Sequence, residues 1–90
     1  MKRVILYTMK VCPHCKNLKE QLIQNNIEFE ERDVDKYNKQ YERFVEITKN
    51  EYLPAFILYN LKEGSTSRMT PDNDFETIEE AVDKIKKFIL

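Results

Sequence analysis

Both cysteines of this chain and its only histidine fall within five consecutive residues, Val11-Cys12-Pro13-His14-Cys15, where a β-branched, apolar run gives way to a helical pattern. Proline fixes φ near the helical value and has no N–H to lose, so Pro13 is best placed as the first residue of a helix, with Cys12 as its N-cap. The sulfur of Cys12 then stands where a capping oxygen would. There it can accept from the backbone N–H groups of His14 and Cys15, and the positive end of the helix dipole favours its thiolate. Residues three apart on a helix share a face at about 5–6 Å, which is also the usual Cα separation of a disulfide. Cys15 can therefore close on Cys12 without backbone movement. The pair reads as a reversible dithiol, in which Cys12 attacks a substrate disulfide and Cys15, deeper in the helix, resolves the mixed disulfide. Lys10 places positive charge beside the attacking sulfur, and His14 adds a further polar or cationic group. Stabilising the reduced, thiolate-bearing form makes such a couple more oxidising, by about 30 mV for each 1.4 kcal/mol.

Two blander readings compete. A structural zinc site needs four ligands, whereas this stretch offers two sulfurs and one imidazole with a stiff proline between them, so no metal site is assigned. A purely structural disulfide closing so short a loop adds little stability, and inert core thiols would have no use for a proline-led helix start.

The totals narrow the function classes. Ninety residues, 41% of them apolar and 34% charged, are enough for a single domain over 1–90 with one modest core. A formal charge of −1 supplies no basic field, so neither nucleic acid nor an anionic membrane is suggested as a partner. The apolar run near the N-terminus is too short for a secretory signal, and no later stretch approaches a membrane span, which leads to the expectation of a cytoplasmic protein. In that compartment a Cys-X-X-Cys pair is more often catalytic than structural. A single glycine rules out a glycine-rich phosphate cradle.

Along the chain, Arg3 to Thr8 has the profile of a strand buried on both faces, delivering the cysteines at its C-terminal end. The helix from Pro13 is expected to bury Leu18, Leu22 and Ile23 and to stop at Asn25-Asn26. Ile27 to Val34 reads as a second strand, parallel to the first by the handedness of a strand-helix-strand unit. Asp35 is placed as the cap of a second helix running to about Lys49, with Tyr37, Tyr41, Phe44, Val45 and Thr48 inward and Asn50 as the stop. Pro54 opens a third strand through Tyr59, since proline cannot donate to a ladder. Lys62-Glu63-Gly64-Ser65 is the turn into a short edge strand, Thr66 to Met69. Asn73 and Glu76 are spaced as a capping box for a last helix carrying Phe75, Ile78, Val82, Ile85 and Ile89 on its inner face. The expected fold class is α/β, a four-stranded mixed sheet flanked by three helices.

This order, with Cys-Pro-His-Cys at a helix start, a proline opening the third strand and a closing helix, resembles a glutaredoxin of the thioredoxin superfamily over nearly the whole chain. The resemblance implies a thioredoxin-like fold and a thiol-disulfide oxidoreductase with Cys12 as nucleophile and Cys15 as resolving thiol. It further implies that Pro54 is a cis-proline and that Leu53 pairs its backbone with bound peptide or glutathione. Asn73 and Asp74 would hold the γ-glutamyl end of glutathione; Lys10, Pro13 and His14, placed beside Cys12 by the sequence itself, are added to the expected substrate site. No bound cofactor is implied; glutathione is the reducing co-substrate and disulfide-bearing proteins are the partners of a monomer. The chain departs from the family pattern at His14, where tyrosine is common, at Met9, where a basic residue stands, at Tyr52-Leu53 in place of Thr-Val, and at Thr70-Pro71 in place of Gly-Gly. A second redox reading stays open, an electron donor to ribonucleotide reductase that is recycled by thioredoxin reductase. So does a non-enzymatic one, a carrier of metal or of an iron-sulfur cluster.

Overall fold

The computed structural model describes residues 1–90 as seven elements. In chain order these are β1 (Lys2–Thr8), α1 (Pro13–Gln24), β2 (Glu30–Asp33), α2 (Asn38–Thr48), β3 (Ala55–Asn60), β4 (Ser65–Met69) and α3 (Ile78–Ile89). The strands form one mixed sheet in the order β2-β1-β3-β4. β1 runs parallel to β2, in a register that sets Ile5 beside Glu30, and antiparallel to β3, whose Ile57 pairs with Ile5. β3 and β4 are antiparallel, joined by a turn in which Gly64 takes φ 68°, a conformation a side chain would strain.

Alternation along β1 divides the core. Val4 and Leu6 join Leu18 and Leu22 of α1, Phe56 and Leu58 of β3, Phe75 of the loop after β4, and Ile78, Val82 and Ile85 of α3 on one face. Tyr7 meets Phe44 of α2 and Ala55 on the other, with Tyr41 and Leu53 packed against them. Val4 through Thr8 are all buried, so β1 is covered on both faces as its unbroken apolar run implies. Full burial of a leucine such as Leu18 or Leu22 contributes about 1.5–3 kcal/mol, which makes this central layer the main source of rigidity beneath the cysteines.

The element ends differ from the sequence reading where backbone hydrogen bonding overrides apolar pattern. β2 covers only the charged residues 30–33; Ile27 and Phe29 pack on the core ahead of the ladder. Asp35 does not cap α2: the N-cap is Tyr37, without a side-chain bond, and the preceding turn is closed by Lys36 N and Tyr37 N donating to the Asp33 carbonyl. That helix ends at Lys49 in the left-handed region, φ 58°, one residue before the expected stop. α3 starts at Ile78, capped by Thr77 Oγ, which accepts from Glu80 N at 3.1 Å. The helix cap is therefore Thr77, taking the Glu80 amide, rather than Asn73 paired with Glu76. Ile23, Tyr37 and Ile89, all expected inward, are exposed.

Candidate functional site: a dithiol at a helix start and the cleft beside it

β1 ends at Thr8, and three residues, Met9 to Val11, bring the chain to Cys12, which has the extended backbone of an N-cap, φ −148° and ψ 93°. Pro13 occupies the first helical position, where its missing N–H costs nothing. Cys15 N donates to Cys12 Sγ at 3.2 Å, so the sulfur satisfies one of the orphan donors of the helix start. Of the two amides the sequence offered as partners, the Cys15 amide is the one bonded. The cysteines are joined as a disulfide with Cα atoms 5.2 Å apart.

The two sulfurs are not equivalent. Cys15 is 1% exposed and packed into the protein, whereas Cys12 is partly exposed. An incoming group reaches Cys12 first. Val11, immediately before it, is 81% exposed, and Lys10 and His14 are also exposed.

A cleft of about 420 Å³ adjoins the Cys-Pro-His-Cys stretch through His14, with His14 and Asn17 of α1 on one side and Leu53 and Pro54 on another. Its third wall is Pro71, Phe75, Glu76, Thr77, Ile78 and Glu79. The Leu53–Pro54 bond is cis. Thus His14, Leu53 and Pro54 are brought together, while Lys10 is not among the lining residues. Asn73 and Asp74 lie elsewhere. Asp74 Oδ2 accepts from Thr70 N at 2.8 Å and from Thr70 Oγ1 at 3.3 Å, and Asn73 Nδ2 donates to Thr70 Oγ1 at 3.2 Å. Both side chains close the turn between β4 and α3, and the residues that face the cleft from this segment are Glu76, Thr77 and Glu79 instead.

Asn50 is a residue whose role the sequence concealed. It follows the helix end, yet its Nδ2 donates to the Pro71 carbonyl at 2.8 Å and its Oδ1 accepts from Tyr52 N at 2.8 Å. One amide thereby ties the loop bearing Leu53-Pro54 to the loop bearing Pro71, two walls of the cleft. Tyr41 reinforces the same loop by donating from its hydroxyl to the Glu51 carbonyl at 2.7 Å; burial, together with the nearby Glu51 carboxylate, pushes the Tyr41 hydroxyl above its usual pKa.

On the outer flank, Glu31 Oε2 accepts from Lys19 Nζ at 2.9 Å and from Thr8 Oγ1 at 2.7 Å. These bonds, Lys19 first, hold the Glu31 carboxyl below its ordinary value. No group of three or more His, Cys, Asp or Glu side chains comes together as a metal site. No helix is long and apolar enough to cross a membrane. A larger groove, about 480 Å³, lies at the far end of the sheet between Lys2, Ile27 and Leu90, and no residue of the Cys12–Cys15 turn lines it.

Comparison with known proteins places this geometry. The glutaredoxin family model matches residues 4–58. Among solved structures, the thioredoxin-like protein BC3987 superposes with a TM-score of 0.62 at 22% identity, over 96% of this chain and 99% of that one. A glutaredoxin from Brucella melitensis gives 0.56 at 16% identity, covering 94% of this chain and 79% of its own. The thioredoxin pre-protein of Schistosoma mansoni gives 0.59 at 24% identity, with 97% and 78% covered. A search of curated protein sequences finds no match. The structural likenesses establish a thioredoxin-like fold.

Proposed function

Given that the chain belongs to the glutaredoxin family, we propose that it is a thiol-disulfide oxidoreductase reducing disulfides in polypeptides through Cys12 and Cys15. The observation that carries this reading is the asymmetry of the pair: Cys12 Sγ caps α1 and is partly exposed, while Cys15 is buried directly behind it.

In the reduced chain the Cys12 thiolate attacks one sulfur of the substrate disulfide. The substrate S–S bond breaks, its second sulfur leaves as a thiolate that takes a proton, and a mixed disulfide remains on Cys12. Cys15 then loses its proton and attacks Cys12 Sγ, expelling the remaining substrate thiol and forming the Cys12–Cys15 disulfide. Two electrons have passed to the substrate. The amide of Cys15 serves the first step, because a donor aimed at the Cys12 sulfur holds it as the attacking thiolate. Leu53, Pro54, Phe75 and Ile78 give the cleft an apolar lining suited to the side chains flanking a substrate cysteine.

The spent disulfide needs two electrons from outside. Glutathione, the reductant the family implies, would supply them as two thiols oxidised to one glutathione disulfide, in the cytoplasm. The cleft favours a second reading, re-reduction by thioredoxin reductase, because its lining has no lysine or arginine to meet the two carboxylates of glutathione. Under that reading ribonucleotide reductase, which must have a disulfide reduced in each cycle, is a fitting acceptor.

The test is Cys15→Ser. This variant should attack a protein disulfide and stop at a stable mixed disulfide on Cys12, visible by mass spectrometry, with multiple-turnover reduction lost. Cys12→Ser should form no adduct. An adduct on Cys15, or turnover persisting in either variant, would refute the scheme. Parallel assays of wild type with NADPH plus thioredoxin reductase, and with NADPH, glutathione and glutathione reductase, decide the electron source.

A further inference from the structure

The wall of the cleft supplied by α3 and the segment before it carries two carboxylates, Glu76 and Glu79. Neither is in an ion pair or a side-chain hydrogen bond within the chain; the salt bridges all lie on the opposite flank, among Arg3, Lys19, Glu30, Glu31 and Arg32. The other lining residues are apolar or uncharged apart from His14, so nothing fixed and cationic faces these two groups. The start of α3, which would otherwise attract an anion, is already occupied. Thr77 Oγ1 takes the Glu80 amide, and Glu79 and Glu80 stand in the first turn against the positive end of the dipole. This wall also lies outside residues 4–58, the part of the chain that the family model matches.

From this arrangement we infer that Glu76 and Glu79 set the substrate charge preference of the site, selecting disulfides flanked by lysine or arginine and disfavouring acidic ones, glutathione disulfide included. The inference rests on the proposed reaction at Cys12, and the exchange step is the one written above; the carboxylates touch the substrate flank and not the reacting sulfurs. Complementary charge at the rim of a site acts on encounter and orientation, and is weakened by salt. Two exposed pairs at the usual strength correspond to about a fivefold preference.

The experiment uses the reduced full chain, freed of reductant, mixed with three symmetric peptide disulfides whose single cysteine is flanked by arginine, glutamine or glutamate. Oxidation of the chain is followed by quenching and mass spectrometry, and each rate is divided by that of the same disulfide with dithiothreitol, which removes differences in intrinsic reactivity. The arginine peptide should react about fivefold faster than the glutamate peptide at low ionic strength, and the gap should close in about 0.5 M salt. Glu76→Lys/Glu79→Lys should invert the order and speed oxidation by glutathione disulfide, a gain that unfolding cannot produce. Equal normalised rates, or an order unchanged in the double variant, would overturn the charge inference and leave the thiol chemistry standing. If none of the three peptides oxidises the reduced chain, the proposed reaction itself fails, and the inference with it.

Discussion

Asn50 shows how much of this site depends on a residue with no chemistry of its own. Its amide is half-buried and bonds at both ends, to Pro71 O and from Tyr52 N. In Asn50→Ala both bonds are lost, and the Pro71 carbonyl loses its donor. Partly buried hydrogen bonds contribute about 1 kcal/mol each, so this variant should be destabilised by about 1–2 kcal/mol, seen as a lower urea midpoint with an unchanged slope. Disulfide exchange should also slow, because two walls of the cleft are no longer tied. Unaltered stability and rate would show that the two loops hold their places without it. The sequence could not reveal this role: an asparagine after a helix reads as a stop, and its actual partner at Pro71 is distant in sequence. Cys12 was legible for the opposite reason. Its partners are three residues away, and a proline between them leaves the backbone one way to start the helix.

Local rules of that kind placed every helix and strand, and failed at their ends. β1 was readable because a strand covered on both faces needs no alternation. The second strand was read from Ile27 and Phe29, yet the ladder is made by the charged residues after them, Glu30 to Asp33. An edge strand needs only one hydrogen-bonded neighbour, and its side chains can reach water or one another; here Glu30 accepts from Arg32 and Arg3, and Glu31 from Lys19 and Thr8. Apolar pattern is blind to such an element. The same ion pairs give it a pH dependence. The Arg32 hydrogen bond, ahead of the other contributions, lowers the Glu30 carboxyl from its usual 4.5, and the Lys19 bond does the same for Glu31. Groups depressed in the folded state add stability above the unfolded value and lose it as pH falls through the folded one. Stability should therefore decline below pH 4.5, modestly, since these carboxylates are more than a third exposed. Urea midpoints measured from neutral to acid pH should show the fall, and Glu31→Gln should flatten it. A wild-type midpoint that rises on acidification would contradict the assignment.

Across the whole molecule, the fold places two chemically identical cysteines in different environments, one partly exposed and one buried. The central strand carries the chain to the end of the sheet, and α1 begins there with Cys12 as its N-cap and Cys15 buried inside its first turn, on a helix whose Leu18 and Leu22 share a core with β1 and α3. Fold class and the cysteine pair were visible in the sequence because spacing and pattern encode them. Which residues form the far wall of the cleft was not visible. The turn that holds Asn73 and Asp74 through Thr70 delays the start of α3 to Ile78, and so presents Glu76 and Glu79 in their place. The sorting of the thiols is the claim on which the proposed function stands, and it is open to one direct measurement. The fully reduced chain is treated at pH 7 with limiting iodoacetamide and the label is mapped by mass spectrometry, native and in urea. The label should fall almost entirely on Cys12 in the native chain and spread evenly over both cysteines in urea. Native labelling of Cys15 as fast as Cys12, or of Cys12 no faster than in the unfolded chain, would contradict the account.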